Sequence, residues 1–359
     1  MNSSNRRQRS LGVCLALPLL LLTQYTACSA DRGAPAPDSQ LSLIESVTPS
    51  GFPPGRSVDR APTDNALTEA RARLGRRLFY DSRLSRTTEV SCASCHQQEH
   101  AFADPSAVSK GVEGRLGSRN ASALANAAWG RSFFWDGRAP SLEEQAGQPI
   151  ENPLEMDLPL AEAAMRLNGD ARYVAEFASA YGEPPTALSL QRALASFVRA
   201  LVSGQSAYDR HLRGDNGDFG EPEQRGEALF FSDQAACFHC HPVGVLSNEG
   251  FFNNGTYTSG GDAGRKQVTE RVGDEGKFKV PGLRNCAESA PYMHDGSLPT
   301  LEAVIEQYDR GGRGDPTTDP QIAPLSLSRE QKADLLAFLV SLSDPNFLTD
   351  PRYAAPAPD

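Results

Sequence analysis

The sequence predicts a mainly α-helical protein built from one helical unit used twice in tandem, and three observations carry that expectation. Two C-x-x-C-H units occur, "CASCH" at 92–96 and "CFHCH" at 237–241. Each follows a short amphipathic segment that ends in Leu-Phe and a further aromatic residue, within "ARLGRRLFYDSRLS" and "QRGEALFFSDQA". Each is followed much later by a stretch with apolar residues on one helical face, "LSLQRALASFVRALVSG" from Leu188 and "LSREQKADLLAFLVSLSD" from Leu327. The order helix, cysteine motif, loops and closing helix therefore repeats.

The motif itself decides what the repeat is for. A lone C-x-x-C in an exported chain reads as a disulfide or redox pair, and two such pairs could hold zinc. A zinc ribbon, however, brings its pairs within ~15–20 residues, whereas these start at Cys92 and Cys237. The directly following His96 and His241 match haem c attachment, with two thioethers to the vinyl groups and an imidazole beneath the iron. Cys92, Cys95, Cys237 and Cys240 are thus expected to hold two covalent haem c groups. The architecture expected is two cytochrome c-like haem domains in tandem, 61–215 and 216–346, joined by an exposed hinge at 213–226 and followed by a tail at 347–359. Cys286 is left over and reads as a small buried residue.

At 359 residues the chain is long enough for two cores. Its net charge of −10 argues against nucleic acid as a partner, which would need a basic face. The N-terminus carries arginines, then an apolar run from Leu11 to Leu22, then small residues ending at Cys28. That run is short for a membrane span and reads as an export signal over 1–28, of lipoprotein type, with Cys28 as the lipidated residue. Residues 29–60, rich in Pro, Ser and Gly, read as a flexible tether. The expected location is the periplasm, with contact to a membrane only through that N-terminal lipid.

Function turns on the face of each iron opposite its motif histidine. Candidate ligands outside the motifs are His100, His211, His239, His294, Met156, Met165, Met293 and the tyrosines. Leu301, Val304, Ile305 and Tyr308 follow i, i+3, i+4, i+7, which predicts a helix capped by Thr300 and stopped by Gly311 and Gly312. Tyr308 would face inward from it, as a ligand or as a packed core tyrosine.

From about Leu67 to Ser343 the chain resembles the bacterial di-haem cytochrome c peroxidase family and its MauG-like branch of protein-modifying oxidases. The resemblance rests on the two haem motifs with "SRNAS" (118–122), "FFWDGRAPSLEEQA" (133–146), "PIENPLEM" (149–156) and "PYMHDGSLPTLEAV" (291–304) in that order. It implies a peroxidatic haem in the first domain and an electron-transfer haem in the second. It also implies Tyr308 as the second axial ligand to the latter, where ordinary peroxidases have methionine. A phenolate is hard and anionic and stabilises Fe(III), whereas a thioether favours Fe(II). Met293 is then a packing residue, and His294 hydrogen-bonds near the second haem.

The same resemblance makes Glu155 the acid–base residue, with Gln145 nearby and Pro149 shaping the pocket, although "IENPLEM" also offers Glu151. Trp135 matches a tryptophan that relays charge between the haems, or else is core. One Ca²⁺ between the domains is implied at Asn120, Ser289 and Pro291, with Ser289 in place of the usual Thr. Where peroxidases of this family carry a removable distal histidine, this chain has Val112, so the first haem is expected to be five-coordinate without reductive activation.

The expected activity is reduction of hydrogen peroxide with electrons from a small periplasmic donor, a cytochrome c or cupredoxin. The alternative is a MauG-like oxidase whose substrate is a partner protein's own side chain. A reading of another class is a non-catalytic di-haem electron carrier. A homodimer is compatible with all three.

Overall fold

A computed structural model describes residues 42–44, 48–49, 51–52 and 60–357. The export signal, Cys28 and most of the 29–60 stretch lie outside the described residues. Within that stretch Leu43 is buried in the first core, its N–H bound to Glu69 at 3.0 Å, and Phe52 packs edge-on against Trp129 at 4.9 Å.

The α-helices in chain order are α1 (Glu69–Phe79), α2 (Cys92–Cys95), α3 (Leu142–Glu151), α4 (Leu160–Asn168), α5 (Ala171–Tyr181) and α6 (Ala187–Ala200), then α7 (Ala207–Leu212), α8 (Glu221–Phe230), α9 (Lys266–Thr269), α10 (Leu301–Asp309), α11 (Arg329–Val340) and α12 (Pro345–Thr349). Among the described residues, strand is confined to one antiparallel pair, β1 (Phe251–Phe252) with β2 (Phe278–Lys279). Caps of the expected kind start the long helices: Thr68 and Thr300 accept from Arg71 N and Ala303 N, and Ser328 and Gln331 form a reciprocal box. The closing helices expected from Leu188 and Leu327 are α6 and α11. None of the described helices is long and apolar enough to cross a membrane.

Two apolar clusters carry the fold. In the first, α1 crosses α6, and Leu74, Leu78 and Phe79 meet Leu190, Leu194 and Phe197. In the second, α8 crosses α11, and Leu229 and Phe230 meet Leu335, Phe338 and Leu339. Both crossings depend on a glycine. A Cβ on Gly75 would lie 1.9 Å from Ala193 O, and one on Gly226 would lie 2.0 Å from Asp334 O. Each glycine therefore lets one helix backbone touch the other, and each is followed four residues later by a phenylalanine. Phe79 meets Phe197 at 5.1 Å and Phe230 meets Phe338 at 5.1 Å, so the repeat seen in the motifs extends to the packing.

The segments between also correspond. Asn126 and Asn285 both take a left-handed backbone before a 3₁₀ turn. Phe134 and Met293 share a left-handed φ, +65° and +76°, inside small hairpins closed by Phe133 to Ala139 and Tyr292 to Leu298. The serine and threonine caps that follow start α3 and α10. In this register Pro149, inside α3, occupies the place that Tyr308 holds in α10. Tyr208 of α7 packs in the second cluster, and the C-terminal residues expected as a tail return to the first, where Phe347 and Tyr353 are buried. Arg76 and Tyr80 bind the carbonyls of Ala354 (2.6 Å) and Tyr353 (2.7 Å). The two apolar rings, too large to leave in water, account for that docking.

Candidate functional site

Each C-x-x-C-H motif is folded so that its histidine turns inward. α2 is a single turn closed by a reciprocal Ser91–Ser94 box, and His96 caps it. His96 Nδ1 lies 2.8 Å from Phe102 O, a carbonyl presented by consecutive left-handed residues Ala101 and Phe102. Cys237–His239 is a 3₁₀ turn, and His241 Nδ1 lies 2.7 Å from Leu246 O. A carbonyl can only accept, so Nδ1 carries the proton in both rings and Nε2 keeps its lone pair for a metal. Burial lowers both imidazole pKa values, His241 to about 4, which keeps the rings neutral as ligation requires. Phe79 and Phe230 each stand 6.4 Å from the histidine of their own half. Cys92, Cys95, Cys237 and Cys240 are free thiols, and Cys286 is buried.

Both motifs open on one continuous cavity of about 940 Å³, lined by Cys95, His96, Cys237, Cys240 and His241 among others. Single-ligand pockets span ~300–1,000 Å³, so this one is at the large end. Two buried donors on its wall, Trp129 Nε1 and Arg284 Nη2, have no hydrogen-bond partner among the described residues. Neutral imidazoles, paired thiols, apolar walls and unsatisfied donors fit haem with its anionic carboxylates.

α10 brings Tyr308 to the cavity that His241 also lines, while Leu301 and Ile305 of the same helix face are buried. Burial pushes the phenol up to about 12, and an amide hydrogen from Asn254 at 3.3 Å opposes that rise. Met293 also lines the cavity, its Sδ 3.2 Å from the same Asn254 Nδ2. His294 is buried and stacks on Phe278 with ring centres 3.6 Å apart.

The other histidines and methionines have evident structural places. His211 stacks on Phe219 and bonds Asn216, and His100 Nδ1 is 3.3 Å from Glu288 O. His239 lies against Phe238, Met156 is core and Met165 is exposed.

In the first half, Gln145, Pro149, Asn152 and Glu155 line the same cavity as His96. The sequence left Glu151 and Glu155 as alternatives, and the geometry separates them: Glu151 is exposed and accepts from Leu160 N, while Glu155 faces inward. Asn152 Nδ2 donates to Glu155 Oε1 at 2.6 Å, yet burial still raises the carboxyl pKa. Val112 is fully buried but does not line the cavity. Its N–H binds Glu155 O at 2.8 Å, and a Cβ on Gly111 would stand 2.1 Å from Leu154 O. The Val112 segment is therefore a backing strip for the Glu155 loop.

Trp135 lies at the seam between the halves. Its Nε1 donates to Asn120 O (2.9 Å), its carbonyl accepts from Lys279 N (2.8 Å), and Asn120 N donates to His294 O (2.8 Å). Beside it Arg119 joins Asp136 (2.6 Å) to Asp262 (2.6 Å). Asn120, Ser289 and Pro291 line the same cavity, and the Asn120 amide nitrogen donates to Ser106 O and Ala107 O. The sequence reading missed Asn254 and the Arg119 bridge. The "NNG" at 253–255 hints at a tight turn, but nothing local says what it faces.

Two C-x-x-C-H turns facing one cavity, within a duplicated cytochrome c-like fold, define the class: a c-type di-haem oxidoreductase. Residues 69–217 match the family model described as di-haem cytochrome c peroxidase. The chain is 37% identical to the methylamine utilization protein MauG of Methylorubrum extorquens over 332 residues, covering 91% of this chain and 93% of that protein. It is 31% identical to the cytochrome-c peroxidase IdrP1 of a Pseudomonas species, with 81% and 86% covered. Among solved structures, a MauG-like protein associated with microbial copper homeostasis superposes with a TM-score of 0.81 at 36% identity, with 87% and 99% covered. The chain belongs to the di-haem cytochrome c peroxidase family. It is an oxidoreductase with two haem c groups, and peroxidase chemistry is its activity.

Proposed function

We propose that the chain reduces hydrogen peroxide at a first haem held by Cys92, Cys95 and His96, and stores or passes oxidising equivalents through a second held by Cys237, Cys240, His241 and Tyr308. A haem bound at either motif would lie near the helical cluster of its own half, since Phe79 and Phe230 of those clusters stand beside His96 and His241. Bound haem supplies the electrons that split the O–O bond. Glu155 takes the proton from the near oxygen of peroxide and returns it to the far oxygen, which leaves as water. Its raised pKa brings it closer to neutral pH, where a group can both accept and release a proton. Gln145 orients the peroxide from the preceding turn of α3. Pro149, standing where the second half has Tyr308, has no side-chain donor to offer a haem bound at His96 and would leave room there for substrate. Trp135, bonded on both sides to the seam, carries electrons between the halves.

The observation that carries this reading is the contrast between equivalent positions, Pro149 in α3 and Tyr308 in α10. The electrons come from a small cytochrome c or cupredoxin in the periplasm, the chain being exported and lipid-anchored at Cys28. A second reading, oxidation of a side chain on a partner protein as the relatives named MauG suggest, is favoured by Tyr308, because a phenolate disfavours the reduced iron that a donor cytochrome would create. A Ca²⁺ held by Asn120 Oδ1 and the carbonyls of Ser289 and Pro291 would brace the seam. Steady-state peroxide consumption with reduced cytochrome c present or absent tests the proposal. Turnover that needs the donor supports the first reading. No peroxide consumption under any of these conditions, with no change in either haem's spectrum on peroxide addition, would remove both.

A further inference from the structure

The Asn254 side chain touches two candidate ligands of the second iron, Met293 and Tyr308. Its Oδ1 accepts from Thr256 N (3.2 Å) and from Thr256 Oγ1 (2.5 Å). Both acceptor positions are thereby used, and the amide orientation is determined by chemistry, since Oδ1 alone can receive these two donors. The NH₂ group must then face the cavity, where one hydrogen reaches Met293 Sδ at 3.2 Å and the other Tyr308 Oη at 3.3 Å. All four hydrogen-bonding positions of the amide are occupied.

The turn that carries Asn254 is tied to the same helix as Tyr308. Gln307, fully buried, donates from Nε2 to Gly255 O at 2.9 Å, and Gly312 lies so close that a Cβ on Gly255 would stand 2.7 Å from its Cα. Asn253 Oδ1 accepts from Gly255 N at 3.0 Å. The donor and the phenol thus ride on one braced unit. Met293 comes from the small hairpin before α10 with φ +76°, a left-handed conformation that non-glycine residues keep only where the surroundings enforce it. That backbone aims a thioether, a competent ligand for haem iron, at the space that Tyr308 also faces.

We propose that Asn254 is a positioning residue that decides which side chain ligates the second iron: one amide hydrogen holds Tyr308 Oη in place and the other retains the Met293 sulfur. The thioether, a weak acceptor, is occupied by the second hydrogen at no cost to the first. The selection of tyrosine over methionine rests in this account on a neutral side chain that contacts no substrate. It also rests on the reading of Tyr308 as a ligand, which the same experiment tests separately.

The experiment uses the full holoprotein, with haem content and helical circular dichroism checked for every variant. The ferric protein is examined by low-temperature EPR and near-infrared absorption, and the low-spin haem by potentiometry. Asn254→Leu removes both donors. Part of the low-spin haem is expected to acquire a thioether-to-iron charge-transfer band and a higher midpoint potential, and adding Met293→Leu is expected to return a single species. Asn254→Asp keeps the acceptor for Thr256 but replaces the donors with a charged oxygen. It is expected to shift the EPR signal and lower the potential, which covers the case in which the leucine variant fails to fold. Wild-type spectra and potential in whichever of these variants folds would overturn the proposal. Tyr308→Phe serves as the control: an unchanged low-spin signal there would refute the ligand reading itself, whereas a changed one alongside a silent Asn254 would refute the positioning role alone.

Discussion

Replacing Glu155 with glutamine removes one proton-exchanging group while sparing the structure around it. The amide has the same length, and its Oε1 can still accept the 2.6 Å bond from Asn152 Nδ2. Glu155 N and O are engaged by Asn152 O and Val112 N through the main chain, so the loop is held whatever the side chain. General acid–base transfer is worth ~10²–10⁴ in rate, or about 2.7–5.4 kcal/mol of barrier. The loss should fall near the upper end, because the flanking carboxylates are engaged elsewhere: Glu151 is exposed and bound to Leu160 N, and Asp157 is paired with Arg86 and Arg115. Glu155→Asp, which withdraws the carboxyl by about one methylene, should retain part of the rate, since a misplacement of ~1 Å costs ~10²-fold. Stopped-flow absorbance after mixing ferric protein with peroxide measures the rate, with haem content as control.

The pH profile supplies an independent check. Glu155 must be ionised to take the peroxide proton, and burial raises its pKa. The rate should therefore fall on acidification, with a midpoint above the ~4.3 of an ordinary glutamate, and that limb should vanish in Glu155→Gln. A glutamine variant within threefold of wild type, with its acid limb intact, would refute the assignment.

Other expected outcomes follow from the seam and the helix crossings. Gly75→Ala and Gly226→Ala each add a helix-favouring residue worth ~1 kcal/mol, but the new methyl meets a backbone carbonyl near 2 Å and cannot be accommodated by a rotamer change. Each should lower stability by ~1–3 kcal/mol or more, read as the midpoint of denaturant unfolding. Trp135→Phe keeps a ring at the seam but loses the bond to Asn120 O. It should slow transfer between the haems at least tenfold, seen as slowed loss of the second haem's ferric signal after peroxide, while both haems stay attached. Removing Ca²⁺ with a chelator should depress peroxide reactivity, and readdition should restore it; Asn120→Ala should abolish the restoration.

The haem motifs and the long helices were legible because their signals are local. Periodicity and a capping residue place α10 and turn Tyr308 inward without knowledge of the rest of the chain. The two glycines at the helix crossings were not legible as such, since a glycine inside a helix means close approach only once its partner helix is known. Phe347 and Tyr353 read as part of a tail because no periodic segment contains them, yet they fill the first core. Leu43 and Phe52, in a stretch whose composition suggests a tether, are packed for the same reason. At the site, Glu155 and Glu151 could be separated only by the backbone path of the loop after α3. Asn254 lies far from Tyr308 in sequence, and its role depends on Thr256, Gln307 and Met293 meeting around one amide.

The proposed function turns on one pair of equivalent positions in two halves of similar fold: Pro149, which offers no ligand to a first haem, and Tyr308, which would ligate a second. EPR of the ferric holoprotein before and after Tyr308→Phe tests it most directly. One high-spin and one low-spin haem are expected in the wild type, with the substitution altering only the low-spin signal. Two low-spin haems in the resting enzyme, or a low-spin signal indifferent to the loss of the phenol, would contradict it.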